Sequence, residues 1–149
     1  MKKSLVLAAI LSTLVLAGCS GAPDTTDWSA YSSEGSGFSV QYPEGLNMNI
    51  LSTGAVTFVD PQEKNDTVFQ VQKVGKSAAV NFAERGKMTG AGSNDAAATA
   101  DGTSATSLCF EESGEGFCEY YVDVGTDSSF VVTDYSDLLV VRTFKVLKK

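Results

Sequence analysis

The sequence contains no histidine, and this absence excludes several classes of catalytic site. Without an imidazole there is no Ser/His/Asp triad, no Cys/His nucleophile pair and no histidine-ligated zinc. Chemistry near neutral pH would need a carboxylate, lysine, tyrosine or thiol with a shifted pKa. We therefore expect a protein that is not an enzyme and needs no cofactor. A hydrolase that works through paired carboxylates is the remaining catalytic alternative.

Positive charge is also scarce. The 149 residues carry 11 Lys and Arg against 18 Asp and Glu, a net charge of −7. No basic residue lies between Lys87 and Arg142, a stretch that holds ten acidic ones. This balance argues against nucleic acid as a partner and against docking on anionic lipid through a basic patch. Two interpretations stay open: a solvated acidic surface, or a site for a cation or a basic partner.

The apolar run from Leu5 to Ala17 is too short for a helix that spans a membrane. It follows Lys2 and Lys3, and it ends in Leu-Ala-Gly before Cys19. This pattern resembles the bacterial lipoprotein signal, whose lipobox ends on the cysteine that is acylated. The resemblance implies cleavage before Cys19, a diacylglycerol on its sulfur and an acyl chain such as palmitate on its amino group. Such a double attachment anchors a protein stably to a membrane.

The domain organisation follows from this signal. Residues 1–18 are predicted to be the signal peptide, and residues 19–27 the lipidated cysteine with a small, polar, flexible tether. Residues 28–149 are predicted to form one domain. Removal of 18 of the 149 residues leaves 131, and the loss of two lysines takes the net charge from −7 to −9. That length suits a single core.

Alternation of apolar and polar residues predicts a mostly β domain. Ser77 is a suitable N-cap for a helix that continues to Gly86, whereas the small, polar residues 89–100 are predicted to form a surface loop. Residues 138–142 are compatible with helix or strand. The predicted strands are Phe38–Tyr42, Leu46–Ile50, Ala55–Val59, Val68–Val74, Thr103–Phe110, Phe117–Val124, Ser129–Thr133 and Thr143–Val146.

Cys109 and Cys118 are symmetric about Ser113-Gly114. A two-residue turn there places them opposite each other at a non-hydrogen-bonded pair, where alpha carbons approach to about 4.5 Å. That spacing permits a disulfide, and the same register places Phe110 opposite Phe117. We predict a structural disulfide buried on the more apolar face of the hairpin. A redox pair is the alternative, although such pairs usually have two residues between the cysteines.

Four segments resemble landmarks of PsbP-like domains. An aromatic segment leads into a strand that ends in Tyr-Pro, a turn and strand follow in mid-domain, and a short strand closes the chain. The segments are 28–31 (WSAY), 37–43 (GFSVQYP), 101–105 (DGTSA) and 143–146 (TFKV). The resemblance implies an α+β fold, with an antiparallel sheet of about six to eight strands and one or two short flanking helices. It also implies a domain without catalysis. Photosynthetic members help retain calcium and chloride, but none of their metal-binding residues can be matched here.

The predicted function is a membrane-anchored envelope lipoprotein that acts as a non-catalytic binding or accessory module. The alternative is a calcium-binding envelope protein, with Glu111, Glu112, Glu115 and Glu119 as candidate ligands. No Asp-x-Asp-x-Asp-Gly loop exists, and alternation sends neighbouring glutamates to opposite faces, so no metal site is predicted.

The sequence also predicts a location and a set of partners. We expect the chain to be lipid-anchored and to face outward from the cytoplasm. The serine after Cys19 resembles the signal for sorting to the outer membrane of a two-membrane cell. In a one-membrane cell the same chain would sit on the outer face of the cytoplasmic membrane. The expected partners are the membrane and an envelope protein, with no nucleic acid, and the chain is expected to be a monomer.

Overall fold

The computed structural model describes residues 23–79, 84, 93–112, 115–136 and 138–148. The predicted signal peptide and Cys19 lie outside the described residues. The strands are β1 (Trp28–Ser33), β2 (Phe38–Pro43), β3 (Asn47–Ile50), β4 (Val56–Asp60), β5 (Asp66–Gly75), β6 (Ser93–Ala98), β7 (Ser104–Glu112), β8 (Glu115–Val124), β9 (Ser128–Asp134) and β10 (Lys145–Val146).

These strands form two antiparallel sheets. The larger has seven strands in the order β3-β4-β5-β9-β8-β7-β6, and the smaller has three in the order β1-β2-β10. Helical structure among the described residues is short: residues 76–79 and 84 are helical, and Val140–Thr143 forms a 3₁₀ helix. The expected α+β fold with an antiparallel sheet is confirmed. The large sheet has seven strands, within the six to eight expected, and the small sheet brings the total among the described residues to ten.

The main core lies between the two sheets. It forms because alternate residues of β2, β4, β5, β8 and β9 are apolar and point to one face. Its largest fully buried side chains are Phe38, Phe58, Phe69, Phe130 and Phe144. The rings of Phe58 and Phe69 stack at 4.2 Å between centroids. The aromatic side chains at the start of the domain, Trp28, Tyr31 and Tyr42, pack against this core, as expected of core residues.

A second, smaller cluster covers the other face of the large sheet. Leu108, Tyr121 and Val131 come from three neighbouring strands, and Ala79 from the helical segment packs on them. The helix that was predicted from Ser77 is present over residues 76–79 and at 84, and its other residues lie outside the described ranges. This helix therefore covers part of the sheet that the three-stranded sheet leaves open.

The hairpin of β7 and β8 confirms the predicted register. Cys109 pairs with Cys118, Phe110 with Phe117 and Glu112 with Glu115. The cysteines form a disulfide with alpha carbons 4.0 Å apart. Residues 113 and 114, the predicted turn, lie outside the described residues. Cys118 packs against the main core, but both cysteines are half-buried rather than buried, because the hairpin extends past the edge of that core.

Residues 93–98 correct the prediction of a loop over residues 89–100. They form β6, which pairs with β7 at the edge of the large sheet, with a register shift between Asn94 and Ala97. Small residues give no alternation of large apolar side chains, so the strand has no periodic signal. Its hydrogen bonds come from pairing with β7, which only the tertiary structure provides.

The turn after β6 contacts β10 near the end of the chain through Asp101. The Asp101 carboxylate accepts hydrogen bonds from the Thr99 hydroxyl at 2.5 Å, the Thr103 amide at 3.0 Å and the Val146 amide at 3.3 Å. The hydrogen bond from Thr99 contributes most to lowering the pKa of Asp101 from 3.8 to about 2. Since Val146 belongs to β10, this carboxylate joins the small sheet to the large one.

Candidate functional site

Acidic residues gather at one end of the seven-stranded sheet, which we call the acidic end. Asp60 ends β4, Asp66 begins β5, Glu115 begins β8 and Asp134 ends β9. Neighbouring strands here are antiparallel, and Asp60 pairs in register with Asp66. Asp134 pairs with Phe69 and Cys118, three residues into β5 and β8 from Asp66 and Glu115. The strand order therefore brings together carboxylates from distant parts of the chain.

A cleft of about 920 Å³ opens at the acidic end, and we call it the acidic cleft. It is formed by the β4–β5 turn, the first residues of β8 and the residues that follow β9. Its lining residues are Asp60, Glu63, Asp66, Thr67, Val68, Glu115, Gly116, Phe117, Tyr135 and Ser136. Four of these ten side chains are carboxylates, and none is basic.

Aromatic rings form one wall of the acidic cleft. Phe117 stacks on Phe110 at 5.0 Å between centroids, and Tyr135 contacts Phe117 at 5.4 Å. Phe110 and Phe117 lie on one face of the hairpin because they are opposite in register. Tyr135 keeps 45% of its surface exposed, so its ring is accessible from solvent. Partial burial raises the pKa of Tyr135, and the charge of Glu119 raises it further.

The carboxylate of Asp60 is held by a backbone amide rather than by a basic side chain. Asp60 accepts a hydrogen bond from the Gln62 amide at 2.7 Å, and its carbonyl accepts one from the Asn65 amide at 2.9 Å. Lys64 and Asn65 adopt left-handed backbone angles in this turn. Among the described residues, none of the four cleft carboxylates forms an ion pair. No ion pair within the described ranges therefore offsets their charge.

Asp134 adds a buried carboxylate beside the cleft. It is 2% exposed, and one of its oxygens accepts hydrogen bonds at 2.9 Å from both the amide and the hydroxyl of Ser136. Its other oxygen, Oδ2, is buried and has no hydrogen-bond partner among the described residues. A buried carboxylate oxygen without a partner is costly, since it has lost its water. Tyr135 and Ser136, which follow it, both line the cleft.

This combination of groups suits a positively charged ligand. Carboxylates form short, charge-assisted hydrogen bonds with ammonium and guanidinium groups. An accessible aromatic face attracts the same cations through its ring quadrupole. Carboxylates beside the rings of Phe117 and Tyr135 therefore supply both kinds of contact in one cleft.

The candidate calcium ligands Glu111, Glu115 and Glu119, whose side chains the structure describes, do not share one site. Glu115 lines the acidic cleft, whereas Glu119 is buried and accepts a hydrogen bond from the Tyr121 hydroxyl. Glu111 is exposed and pairs in register with Gly116, and Glu112 pairs with Glu115. Within the described ranges, no three cysteine or carboxylate side chains are placed to hold a metal ion.

Most of the acidic cleft was not identified from the sequence. Asp60 and Asp66 lie between two predicted strands, and Glu115 is one of the candidate calcium ligands, but no pattern in the sequence connects these residues. Tyr135 had no assigned role. The available signal was that acidic residues stand at successive strand ends, which meet at one edge when the strands are antiparallel.

The described residues contain no helix that is both long and apolar enough to cross a membrane. The lipidation site at Cys19 lies outside them and stays a prediction.

Comparison with known proteins identifies the fold. No family model and no curated protein matches the chain. The solution structure of cyanobacterial PsbP (CyanoP) from Synechocystis sp. PCC 6803 is similar over 88% of this chain and 98% of that one, with 14% identity and a TM-score of 0.55. A crystal structure from Bacteroides thetaiotaomicron VPI-5482 matches 83% of this chain with 16% identity and a TM-score of 0.49, and this chain spans about half of that protein. The fold is PsbP-like, as the sequence landmarks implied.

Proposed function

We propose that the chain is a membrane-anchored accessory module of the cell envelope, which binds a basic segment of another protein in the acidic cleft. The observation that carries the proposal is the cleft itself, where four carboxylates without ion-pair partners among the described residues surround accessible aromatic rings. The lipobox that ends on Cys19 supports the anchor. A PsbP-like fold and the absence of histidine support a role without catalysis.

The size and spacing of the groups favour a lysine or arginine side chain over a bare ion. A cleft of about 920 Å³ holds several side chains of a peptide. Calcium needs six to eight oxygens converging at 2.3–2.6 Å, a geometry that the described carboxylates do not provide. A guanidinium can instead span two separated carboxylates and stack on Tyr135.

Exposed charge pairs are individually weak, so the complex should depend on salt. Each such pair contributes about 0.2–1 kcal/mol and is screened beyond about 8 Å at physiological ionic strength. Oligomeric basic probes should therefore bind better than single cations, and binding should weaken as salt rises.

The test compares peptide binding to the wild type and to a variant with the cleft carboxylates neutralised, Asp60→Asn/Asp66→Asn/Glu115→Gln. A fluorescent tetra-arginine peptide is the probe, and fluorescence polarisation gives its Kd. We expect the variant to weaken binding at least about tenfold, which corresponds to about 1.4 kcal/mol.

The matched control removes three exposed charges elsewhere, as Asp27→Asn/Glu34→Gln/Glu44→Gln. Its Kd should stay within about twofold of the wild type, because diffuse charge acts mainly at long range. If both variants weakened peptide binding equally, the peptide would be responding to net charge alone. The acidic cleft would then not be its binding site.

Divalent-cation binding is the second candidate function, favoured by the surplus of acidic residues. A rigid calcium site would raise the melting temperature by mass action, whereas screening depends on ionic strength alone. Identical melting curves in millimolar calcium and in ionic-strength-matched sodium would eliminate this candidate and leave the peptide proposal intact.

A further inference from the structure

A second cavity lies on the outer face of the three-stranded sheet, away from the core. Its volume is about 480 Å³. Ser39 and Gln41 of β2 belong to this outer face, because their neighbours Phe38 and Val40 point into the core. The lining residues are Pro23, Thr25, Ala30, Tyr31, Ser32, Ser39, Val40, Gln41, Ala100, Arg142, Thr143 and Lys145. We call this cavity the basic pocket, since Arg142 and Lys145 are its charged lining residues.

The fold positions both cations. Arg142 lies in the 3₁₀ helix, which is fixed by Thr143: its hydroxyl accepts a hydrogen bond from the Gln41 amide at 2.9 Å and lies 2.8 Å from the Val140 carbonyl. Lys145 is paired with Ser39 across β10 and β2. Neither cation forms an ion pair within the part of the chain that the structure describes.

The two carboxylates that neighbour lining residues in the sequence already accept hydrogen bonds. Asp101 follows the lining residue Ala100, but its two oxygens accept hydrogen bonds from Thr99, Thr103 and Val146. Asp24 lies between two lining residues and accepts hydrogen bonds from Thr26. Neither carboxylate lines the pocket. In a chain that is acidic as a whole, two cations that form no ion pair with any described carboxylate lie in one pocket, and they form a local site for an anion.

The position of the pocket indicates which anion. Pro23 and Thr25 line it, and Pro23 is four residues after Cys19. Four residues span at most about 14 Å when fully extended. If Cys19 carries lipid, the pocket therefore lies close to the headgroups of the bilayer.

We propose that the basic pocket binds the phosphate of an anionic lipid headgroup and so holds the anchored domain in one orientation on its membrane. The proposal rests on the anchoring in the proposed function. Arg142 can bind phosphate oxygens in a bidentate manner, and Lys145 adds a point charge. The hydroxyls of Ser32 and Ser39 are further hydrogen-bond donors in the lining.

The scarcity of basic residues does not contradict this proposal. The charge balance of the sequence argues against docking of the chain on anionic lipid through a basic patch. A tether changes the requirement, because it replaces free encounter with a high effective concentration of headgroups. A pocket with two cations then suffices to select an orientation.

The test attaches the chain that begins at Cys19 to nanodiscs through a maleimide lipid. Cys109 and Cys118 are bonded to each other, so Cys19 carries the free thiol. This coupling makes the result independent of natural acylation, which intact mass measures separately. Discs of pure phosphatidylcholine are compared with discs that contain phosphatidylglycerol, and hydrogen exchange is followed at residues 140–146.

We expect exchange in this segment to slow about fivefold in the phosphatidylglycerol discs alone. Arg142→Gln/Lys145→Gln should abolish the difference between the discs, whereas the control Lys64→Gln/Lys76→Gln, which removes the same charge elsewhere, should retain it. Equal exchange in both discs for the wild type would overturn the proposal.

A further arm identifies the source of the phosphate. Inorganic phosphate is titrated into the unanchored Cys19→Ala protein while the side-chain resonance of Arg142 is observed. If inorganic phosphate shifts this resonance and the two discs do not differ, the pocket binds free phosphate and the lipid assignment is wrong. If natural Cys19 is not acylated but exchange still differs between the two kinds of disc, the proposed lipid anchor is wrong. The proposal that the basic pocket binds a lipid headgroup is then still supported.

Discussion

Replacing Cys109 and Cys118 together by serine should lower the free energy of unfolding by about 2–4 kcal/mol. The bridge closes a loop of ten residues, counted from a sequence separation of 9. Chain entropy assigns such a loop about 2.7 kcal/mol, because the bridge restricts the unfolded chain. Cys118 packs against the main core, so a hydroxyl there adds a desolvation cost, although half-burial limits it.

Urea unfolding followed by circular dichroism measures this change. The midpoint should fall, and the m-value should rise because the unbridged chain exposes more surface when unfolded. For a domain of this length, a loss of about 2.7 kcal/mol corresponds to about 10 °C in Tm. The wild type, reduced in urea and then measured under reducing conditions, separates the entropy of the bridge from the effect of the serine side chains.

A loss below about 0.5 kcal/mol in both samples would refute the reasoning, since it would mean that the unfolded chain gains little freedom without the bridge. A large loss in the serine variant with none in the reduced wild type would instead assign the effect to the hydroxyls.

Three further predictions concern other parts of the chain. Intact mass of the detergent-extracted protein should show cleavage before Cys19 and a multi-acyl increment, and Cys19→Ala should leave the membrane fraction; an unmodified, soluble chain would contradict this. Asp101→Asn should cost about 1 kcal/mol at pH 7, after allowance for solvent screening. Folding lowers the pKa of Asp101, so the stability that its carboxylate contributes is present above about pH 4 and is lost as pH falls toward 2. If the urea midpoints of the wild type and Asp101→Asn differed by the same amount at pH 7 and at pH 2, this explanation would be wrong. Tyr121→Phe removes the hydroxyl that donates to buried Glu119 and should cost about 1–3 kcal/mol in urea unfolding, whereas an unchanged midpoint would show that Glu119 has sufficient other partners.

The register of the β7–β8 hairpin could be predicted because local rules determine it. Side chains alternate with a period of two, and a two-residue turn leaves one pairing for Cys109 and Cys118. The sequence gives no equivalent rule for β6, where small residues carry no periodic signal. β6 forms because its backbone pairs with the free edge of β7. That edge is a property of the assembled sheet.

The acidic cleft could not be predicted for a similar reason. Its carboxylates come from the β4–β5 turn and from the start of β8, and they meet because β9 lies between β5 and β8. Strand order depends on how the whole chain packs, and one sequence does not determine it by alternation alone. The charge surplus was visible in the sequence, but its concentration at one end of the sheet required the topology.

The basic pocket lies on the outer face of the small sheet and the acidic cleft at one end of the large sheet, and β7 runs between residues of the two. This arrangement separates their electrostatic environments. Ala100 of the basic pocket comes before β7 begins, while Glu115 of the acidic cleft comes after β7 ends. The nine residues of β7 span about 30 Å, several times the Debye length of about 8 Å in physiological salt. On an anchored chain whose basic pocket faces the lipid, the cleft would lie outside the counterion layer of the bilayer. The cations that collect at an anionic membrane would then not compete for the cleft, and its affinity would be set by the bulk solution.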